Sequence, residues 1–306
     1  MRIILVGQAA FAQKTLQRLR EKGEEVVAVF CPPDAPGGKT DPAKELAVAL
    51  GVPVYQPRSY KDPEVRERFV SLGADLAILA FVTRIVPLEI INTPWLGTIC
   101  FHPSLLPRHR GGSAINWTLI NGERRTGVTI FWTDAGIDTG PILLQKEAEV
   151  SPDDTAATLY YDKLFPLGIE AIAEAVALIE EGRAPRVAQD EALATYEPLC
   201  RDEHAAIEWS RPLQKVYDLI RGCDPQPGAY TRWRGKKVRL YDCRARPGGP
   251  ERRAGEVIEV GPGRFSVAAR GGVVVVGRVR PEGTEKKIAA SDFAATEEVR
   301  AGETLG

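Results

Sequence analysis

Cysteine is scarce in this 306-residue chain: Cys31, Cys100, Cys200, Cys223 and Cys243 are odd in number, widely spaced and never form a C-x-x-C pair. That pattern argues against a disulfide framework and a zinc site, and it fits a reducing, cytoplasmic setting. No apolar run approaches the roughly 18 residues of a membrane span. The best, Leu76 to Thr83, ends at Arg84. Arg2, the run Ile3–Val6 and Ala10-Phe11-Ala12 imitate a secretory signal, but about a dozen residues is too short for one, and a buried first strand is expected instead. A surplus of one charge is missing as well. Forty Lys+Arg meet 41 Asp+Glu, a net charge of −1, so the whole molecule should not attract polyanions. The balance is uneven, with 16 basic against 10 acidic residues in 231–306. Also absent is the glycine motif of dinucleotide binding. Val6-Gly7-Gln8-Ala9-Ala10-Phe11-Ala12 has one glycine where three are needed for the turn, the pyrophosphate approach and the helix packing. No NAD site is expected.

What is present is a repeating strand–helix pattern. Strands are predicted at 2–6, 25–31, 52–55, 75–80, 97–101, 127–132 and 142–150, with helices at 11–22, 42–51 and 62–73 between them. This alternation builds a Rossmann-like, doubly wound, mostly parallel α/β sheet. Asp153-Asp154-Thr155 should cap a long helix reaching about Gly182, mildly broken at Pro166-Leu167-Gly168, with Pro185 confirming its end. The stretch 183–203 reads as loop. A helix at 211–222 then precedes short strands at 229–233, 236–242, 254–260, 264–268 and 272–280, divided by turns such as Pro247-Gly248-Gly249-Pro250. That texture predicts a small OB-like β-barrel domain. The expected division is a catalytic domain over 1–203 and a barrel over 204–306.

Two of the three histidines fall in Cys100-Phe101-His102-Pro103-Ser104-Leu105-Leu106-Pro107-Arg108-His109-Arg110-Gly111-Gly112-Ser113. The segment follows the carboxyl end of a predicted strand, where open α/β sheets bind ligands. Histidine moves protons near neutral pH. A lone one is more often structural, but here two prolines stiffen the loop and Gly111-Gly112 lets backbone come close. A second cluster, Thr133-Asp134-Ala135-Gly136-Ile137-Asp138-Thr139-Gly140, joins two predicted strands. From spacing alone, Asp138 could equally make an Asx-turn at a hairpin.

The run HPSLLPRHRGGSAINW, with 36 positions between His102 and the aspartate of D-T-G, resembles the folate-dependent formyltransferase family. Phe81–Pro87, Thr129–Trp132, LLQKE at 143–147, PDDT at 152–155, ATYE at 194–197 and KKIAASDF at 286–293 extend the likeness over nearly the whole chain. Within the family it resembles the hydrolase domain of 10-formyltetrahydrofolate dehydrogenase more than methionyl-tRNA formyltransferase. The resemblance implies the formyltransferase fold and 10-formyltetrahydrofolate as formyl donor, with neither metal nor NAD. It implies His102 as the proton-transfer residue and Asp138 as the carboxylate orienting it. It also implies a folate pocket lined by Arg84, Ile85, Val86, Ser104, Leu105, Leu106, Pro107 and Asp138. Formyl transfer passes through a tetrahedral oxyanion, so a charge stabiliser and a proton carrier are both needed. A neighbouring carboxylate should raise the basicity of His102.

One departure stands out. Transferases of the family carry asparagine two residues before the histidine, and this chain has Cys100. A thiol is a weak hydrogen-bond donor. The hydrolase domain that this chain resembles also lacks the asparagine, so the departure favours that relative; Cys100 as a nucleophile is a lesser alternative. The formyl acceptor is then water, an amine or the thiol of a separate carrier protein. A tRNA acceptor needs phosphate contacts. The loop Pro32–Lys44, with two lysines against two aspartates, disfavours it, although Arg232-Trp233-Arg234-Gly235-Lys236-Lys237 and Arg252-Arg253 favour it.

Overall fold

The structure is a computed structural model and describes residues 1–249 and 251–306; Pro250, the last residue of one expected turn, lies outside the described residues. Seven strands form the first sheet: β1 Arg2–Gly7, β2 Glu25–Phe30, β3 Val54–Tyr55, β4 Leu76–Ala80, β5 Gly97–His102, β6 Arg125–Trp132 and β7 Ile142–Glu149. Their order is β3-β2-β1-β4-β5-β6-β7. Strands β3 to β5 run parallel, through Val29↔Val54, Ile3↔Val26, Leu5↔Ile78 and Ile78↔Ile99. β6 turns antiparallel to β5, with Ile99 opposite Trp132 and His102 opposite Thr129. The doubly wound, mostly parallel sheet is therefore present, its order reversing direction between β1 and β4.

The central strands are buried on both faces, as parallel strands covered by helices must be. Ile3, Ile4, Leu5, Leu76, Ile78 and Ile99 have no exposed surface. Alternation divides the end of β5 between two environments. Phe101 faces the helices, its ring 4.3 Å from that of Phe11, while Cys100 packs on the other side against a cluster containing Ile4, Val6, Phe30 and Ile90. His102, two residues after Cys100, shares that second face.

The long helix after Thr155 is present but not uniform. Thr155 makes a capping box with Thr158, a π-helical stretch covers Leu159–Leu164, and the regular helix Phe165–Glu180 follows with Pro166 in its first turn. Proline has no N–H to return to the preceding turn, which accounts for the wider winding before it. The expected break thus takes the form of a change in helix type.

The chain separates into two compact units, Met1–Gly112 with Thr126–Ala148 and Tyr161–Glu197, and Ser113–Arg125 with Glu149–Tyr160 and Pro198–Gly306. In the second, β8 Tyr230–Trp233, β9 Lys236–Pro247, β10 Val257–Gly261, β11 Arg264–Ala269, β12 Gly272–Pro281 and β13 Ile288–Ala289 form an antiparallel sheet. Its path is β10-β11-β12-β9-β8, with β13 on β12. The core of this unit includes Trp209, Tyr217, Leu240, Val257 and Phe265.

Gly7 ends β1 opposite Ala80, where an added Cβ would stand 2.1 Å from the Ala80 carbonyl oxygen and 2.9 Å from the Ala12 Cβ. Backbone on one side and helix on the other leave it nowhere to go. Gly7→Ala should therefore cost about 1–3 kcal/mol of stability by overpacking, read as a lowered urea midpoint with an unchanged m-value.

Candidate active site

β5 and the loop after it bring His102 to the carboxyl edge of the sheet, and the loop between β6 and β7 brings Asp138 to meet it. Asp138 Oδ2 lies 3.5 Å from His102 Nδ1. His102 Nε2 lies 2.7 Å from the main-chain oxygen of His109. A carbonyl oxygen only accepts, so Nε2 carries the proton and donates it. In the neutral ring Nδ1 is then bare and faces the carboxylate. His102 is 5% exposed. Burial lowers its basicity, and it outweighs the Asp138 charge and the His109 carbonyl, which act in the opposite direction. The neighbouring carboxylate does act to raise the basicity of His102, as expected from the sequence, but desolvation is the larger effect and the net shift is downward.

Asp138 has φ of 57°, the left-handed region, and its Oδ2 accepts the Gly111 N–H at 2.8 Å. The Asx-turn weighed for Asp138 falls instead on Asp134, whose Oδ1 accepts from Gly136 N at 3.0 Å and from the Thr139 hydroxyl at 2.7 Å. Asp134 shapes the loop and leaves the Asp138 carboxylate free to face His102. Cys100 is partly buried. Burial first, then the Asp138 charge, pushes its thiol well above the ordinary range, so it stays protonated at neutral pH and is a poor nucleophile.

The remaining expected lining residues divide into two groups. The Ser104 side chain is fully buried, its hydroxyl donating to the Arg108 carbonyl at 2.6 Å, and Leu106 is 2% exposed. The Thr129 hydroxyl donates to Ser104 O at 2.7 Å and accepts from Leu106 N at 3.1 Å, and Gln145 Nε2 donates to Leu106 O at 2.8 Å. Ser104 and Leu106 thus hold the shape of the loop, while Leu105 and Pro107 keep partial access. Arg84 is exposed and donates to the Arg58 carbonyl at 2.7 Å; Ile85 is exposed and Val86 half-buried. A small cleft at the ends of β1 and β4 is lined by residues including Gly7, Gln8, Tyr60, Phe81, Thr83 and Arg84. It lies at the reversal point of the sheet, where ligands of open α/β folds bind.

Sequence reasoning missed the segment after Val187. Thr195 accepts the His109 N–H at its hydroxyl, 2.8 Å away, and Glu197 Oε1 stands 3.1 Å from His109 Nδ1. The backbone N–H of Thr195 donates to the Pro107 carbonyl at 3.1 Å, and its carbonyl accepts from Arg110 N at 3.0 Å. The stretch taken as loop therefore pins the backbone that holds His102. Its one available signal was the ATYE run at 194–197.

A fold with this site defines a class. The family model for Formyl transferase matches residues 1–176, and that for the Formyl transferase C-terminal domain matches residues 200–298. The chain belongs to the formyl transferase family, enzymes acting on folate-type formyl donors. Among individual relatives, it is 48% identical over 247 residues to the cytosolic 10-formyltetrahydrofolate dehydrogenase of Mus musculus, across 79% of this chain and 27% of that protein. It is 39% identical to the methionyl-tRNA formyltransferase of Geotalea uraniireducens (strain Rf4), across 100% of this chain and 98% of that protein. The chain thus spans between a quarter and a third of the dehydrogenases it matches. HypX from Aquifex aeolicus, solved with tetrahydrofolic acid, shares the fold at a TM-score of 0.72 and 21% identity, over 98% of this chain and 48% of its own. Among the described residues no helix is long and apolar enough to cross a membrane.

The buried neutral imidazole has a consequence for stability. With the folded-state pKa of His102 below the 6.5 of a free imidazole, the unfolded chain binds the extra proton first. Its contribution to stability is intact above about pH 6.5 and is lost as pH falls below that. Melting temperatures between pH 8 and 5 should fall less steeply for His102→Gln than for the wild type, and equal slopes would show that His102 is not held neutral.

Proposed function

We propose that the chain removes the formyl group from 10-formyltetrahydrofolate and passes it to water or to a small acceptor, an amine or the thiol of a separate carrier protein, with His102 and Asp138 as the reacting pair. The observation that carries this reading is the 3.5 Å approach of Asp138 Oδ2 to a His102 whose other nitrogen is committed to a carbonyl.

The residues present fit a flat, apolar-faced donor. Phe81 and Ile85 stand exposed on the loop after β4, the strand beside β5, Leu88 stands exposed at the start of the short helix Leu88–Ile91 that follows, and Ile137 stands exposed next to Asp138. Isolated exposed apolar side chains are ordinary, but four on the segments flanking one buried histidine suit a pterin ring. Arg84, Ile85, Val86, Leu105 and Pro107 would line its site. Ser104 and Leu106 would shape the loop beneath. When bound, the donor supplies the formyl carbon that an incoming nucleophile attacks.

The chain's own part is proton movement. His102, neutral at physiological pH, takes the nucleophile's proton at bare Nδ1. Asp138, facing that atom, stabilises the cation that results, and that cation returns the proton to the donor's nitrogen as the formyl C–N bond breaks, so that tetrahydrofolate leaves as the neutral amine. The His109 carbonyl keeps the ring in this orientation throughout, since Nε2 has no other task. Cys100 stays a thiol and offers only weak donation toward developing negative charge. An enzyme short of one strong oxyanion donor should be slow whichever acceptor attacks, since every attack on the formyl carbon passes through the same oxyanion.

A second reading is transfer to initiator methionyl-tRNA, favoured by the full-length likeness to the Geotalea protein. Against it stands the segment after β2, where Lys44 is tied to Asp34 and to Gln56 and is not free for phosphate. We divide the chain as catalytic domain 1–203 and β domain 204–306, and we place the enzyme in the cytoplasm, where reduced folates and free thiols coexist.

Purified protein with 10-formyltetrahydrofolate should release tetrahydrofolate without tRNA; strict dependence on charged initiator tRNA, weakening steeply with salt, would reverse the ranking. His102→Ala and Asp138→Ala should each reduce turnover by at least about 100-fold with far-UV circular dichroism unchanged. Cys100→Asn should preserve or increase transfer to amines, whereas complete loss would show that the thiol itself reacts.

A further inference from the structure

Asp138 sits in the left-handed backbone region, which aspartate tolerates better than most residues, and besides the Gly111 N–H on its carboxylate one side-chain amide holds its main chain. Gln189, 9% exposed, donates from Nε2 to the Asp138 carbonyl and to the Gly140 carbonyl, both at 2.8 Å. Its Oε1 accepts from Arg110 Nε at 3.2 Å and from Nη2 at 2.9 Å. Arg110 is itself buried and anchored by Glu191, at 2.7 Å and 2.9 Å.

A guanidinium only donates. The Gln189 oxygen must therefore face Arg110, and the NH2 group must face the two carbonyls; the flipped amide would set donor against donor and acceptor against acceptor. All four hydrogen-bonding positions of this amide are used, and two of them end on the loop of Asp138. Residue 189 lies between the two family-model matches, which end at 176 and resume at 200. It lies between an isolated β-bridge at Val187 and a short 3-10 helix over Glu191–Leu193.

We propose that Gln189, oriented by Arg110, is a positioning residue that holds Asp138 against His102. It acts through two main-chain carbonyls, that of Asp138 itself and that of Gly140 two residues on, and fixes the left-handed turn from which the carboxylate reaches Nδ1. The proposal rests on the reading of His102 and Asp138 as the reacting pair, so its test includes a readout that does not need turnover.

Two substitutions separate positioning from simple packing. Gln189→Glu keeps an oxygen for Arg110, and adds charge to that contact, but cannot donate to the carbonyls of Asp138 and Gly140. Gln189→Ala removes both. The groups facing the His102 ring are Asp138 at Nδ1, His109 beyond Nε2, and Cys100 on the same strand face, so displacement of Asp138 is the change that the ring would report. For 10-formyltetrahydrofolate cleavage, both variants should lose at least tenfold in kcat with KM within threefold of wild type. By NMR, the His102 ring of Gln189→Ala should titrate at lower pH than in wild type, because the carboxylate that favours its cation has moved away. The inference is overturned if Gln189→Glu retains kcat within twofold of wild type, if the loss falls on KM alone, or if the His102 titration of Gln189→Ala does not move. Should the wild type fail to cleave the folate, the functional reading fails and the ring titration alone decides the role of Gln189. Should Gln189→Ala not fold, kcat of Gln189→Glu decides it.

Discussion

The hydrogen bond from His102 Nε2 to the His109 carbonyl is the constraint on which the rest of the site depends. It commits one ring nitrogen, leaves the other as the only basic atom, and points that atom at Asp138. In water such a bond would contribute little. Inside a protein, where an unmet donor is costly, it determines which tautomer exists. Burial then keeps the ring neutral until a proton is delivered to it, and the carboxylate makes that delivery favourable when it comes. Desolvation and charge oppose each other here, and the balance between them is what suits this histidine to proton transfer.

The scaffold serves that bond from several directions. β5 delivers His102 at its last residue, with Phe101 locked among aromatic rings on the opposite face. His109 and Asp138 both sit at positive φ, 57° in each case. Backbone in that region persists only where surroundings over-determine it. Thr195 and Glu197 hold the first of these residues, and Gln189 with Gly111 hold the second. A single segment after Val187 thus supports Asp138 directly and His102 through the His109 carbonyl.

Much of this was legible in the sequence, for identifiable reasons. Branched apolar runs such as Arg2–Gly7 and Leu76–Ala80 are strands because burial on both faces needs them, and their spacing by amphipathic stretches gives the parallel order. His102 and Asp138 stood out through residue type, scarcity of histidine and family likeness. What was not legible came from effects without a sequence period. The antiparallel turn of β6, the π-helical winding before Pro166 and the role of Gln189 all depend on contacts between segments far apart in the chain. The carboxylate's effect on His102 was legible, but the net direction of the shift was not, because a string of letters shows the neighbouring charge and not the depth of burial. Spacing alone left Asp138 as a possible Asx-turn while family likeness pointed it at the imidazole, and the fold shows that Asp134 makes the turn.

The most direct measurement is nitrogen-15 NMR of the His102 ring in the intact protein at neutral pH. This account predicts a neutral imidazole with its proton on Nε2 and a bare Nδ1, taking up its second proton below pH 6.5. A proton on Nδ1, or a ring already cationic at pH 7, would contradict it.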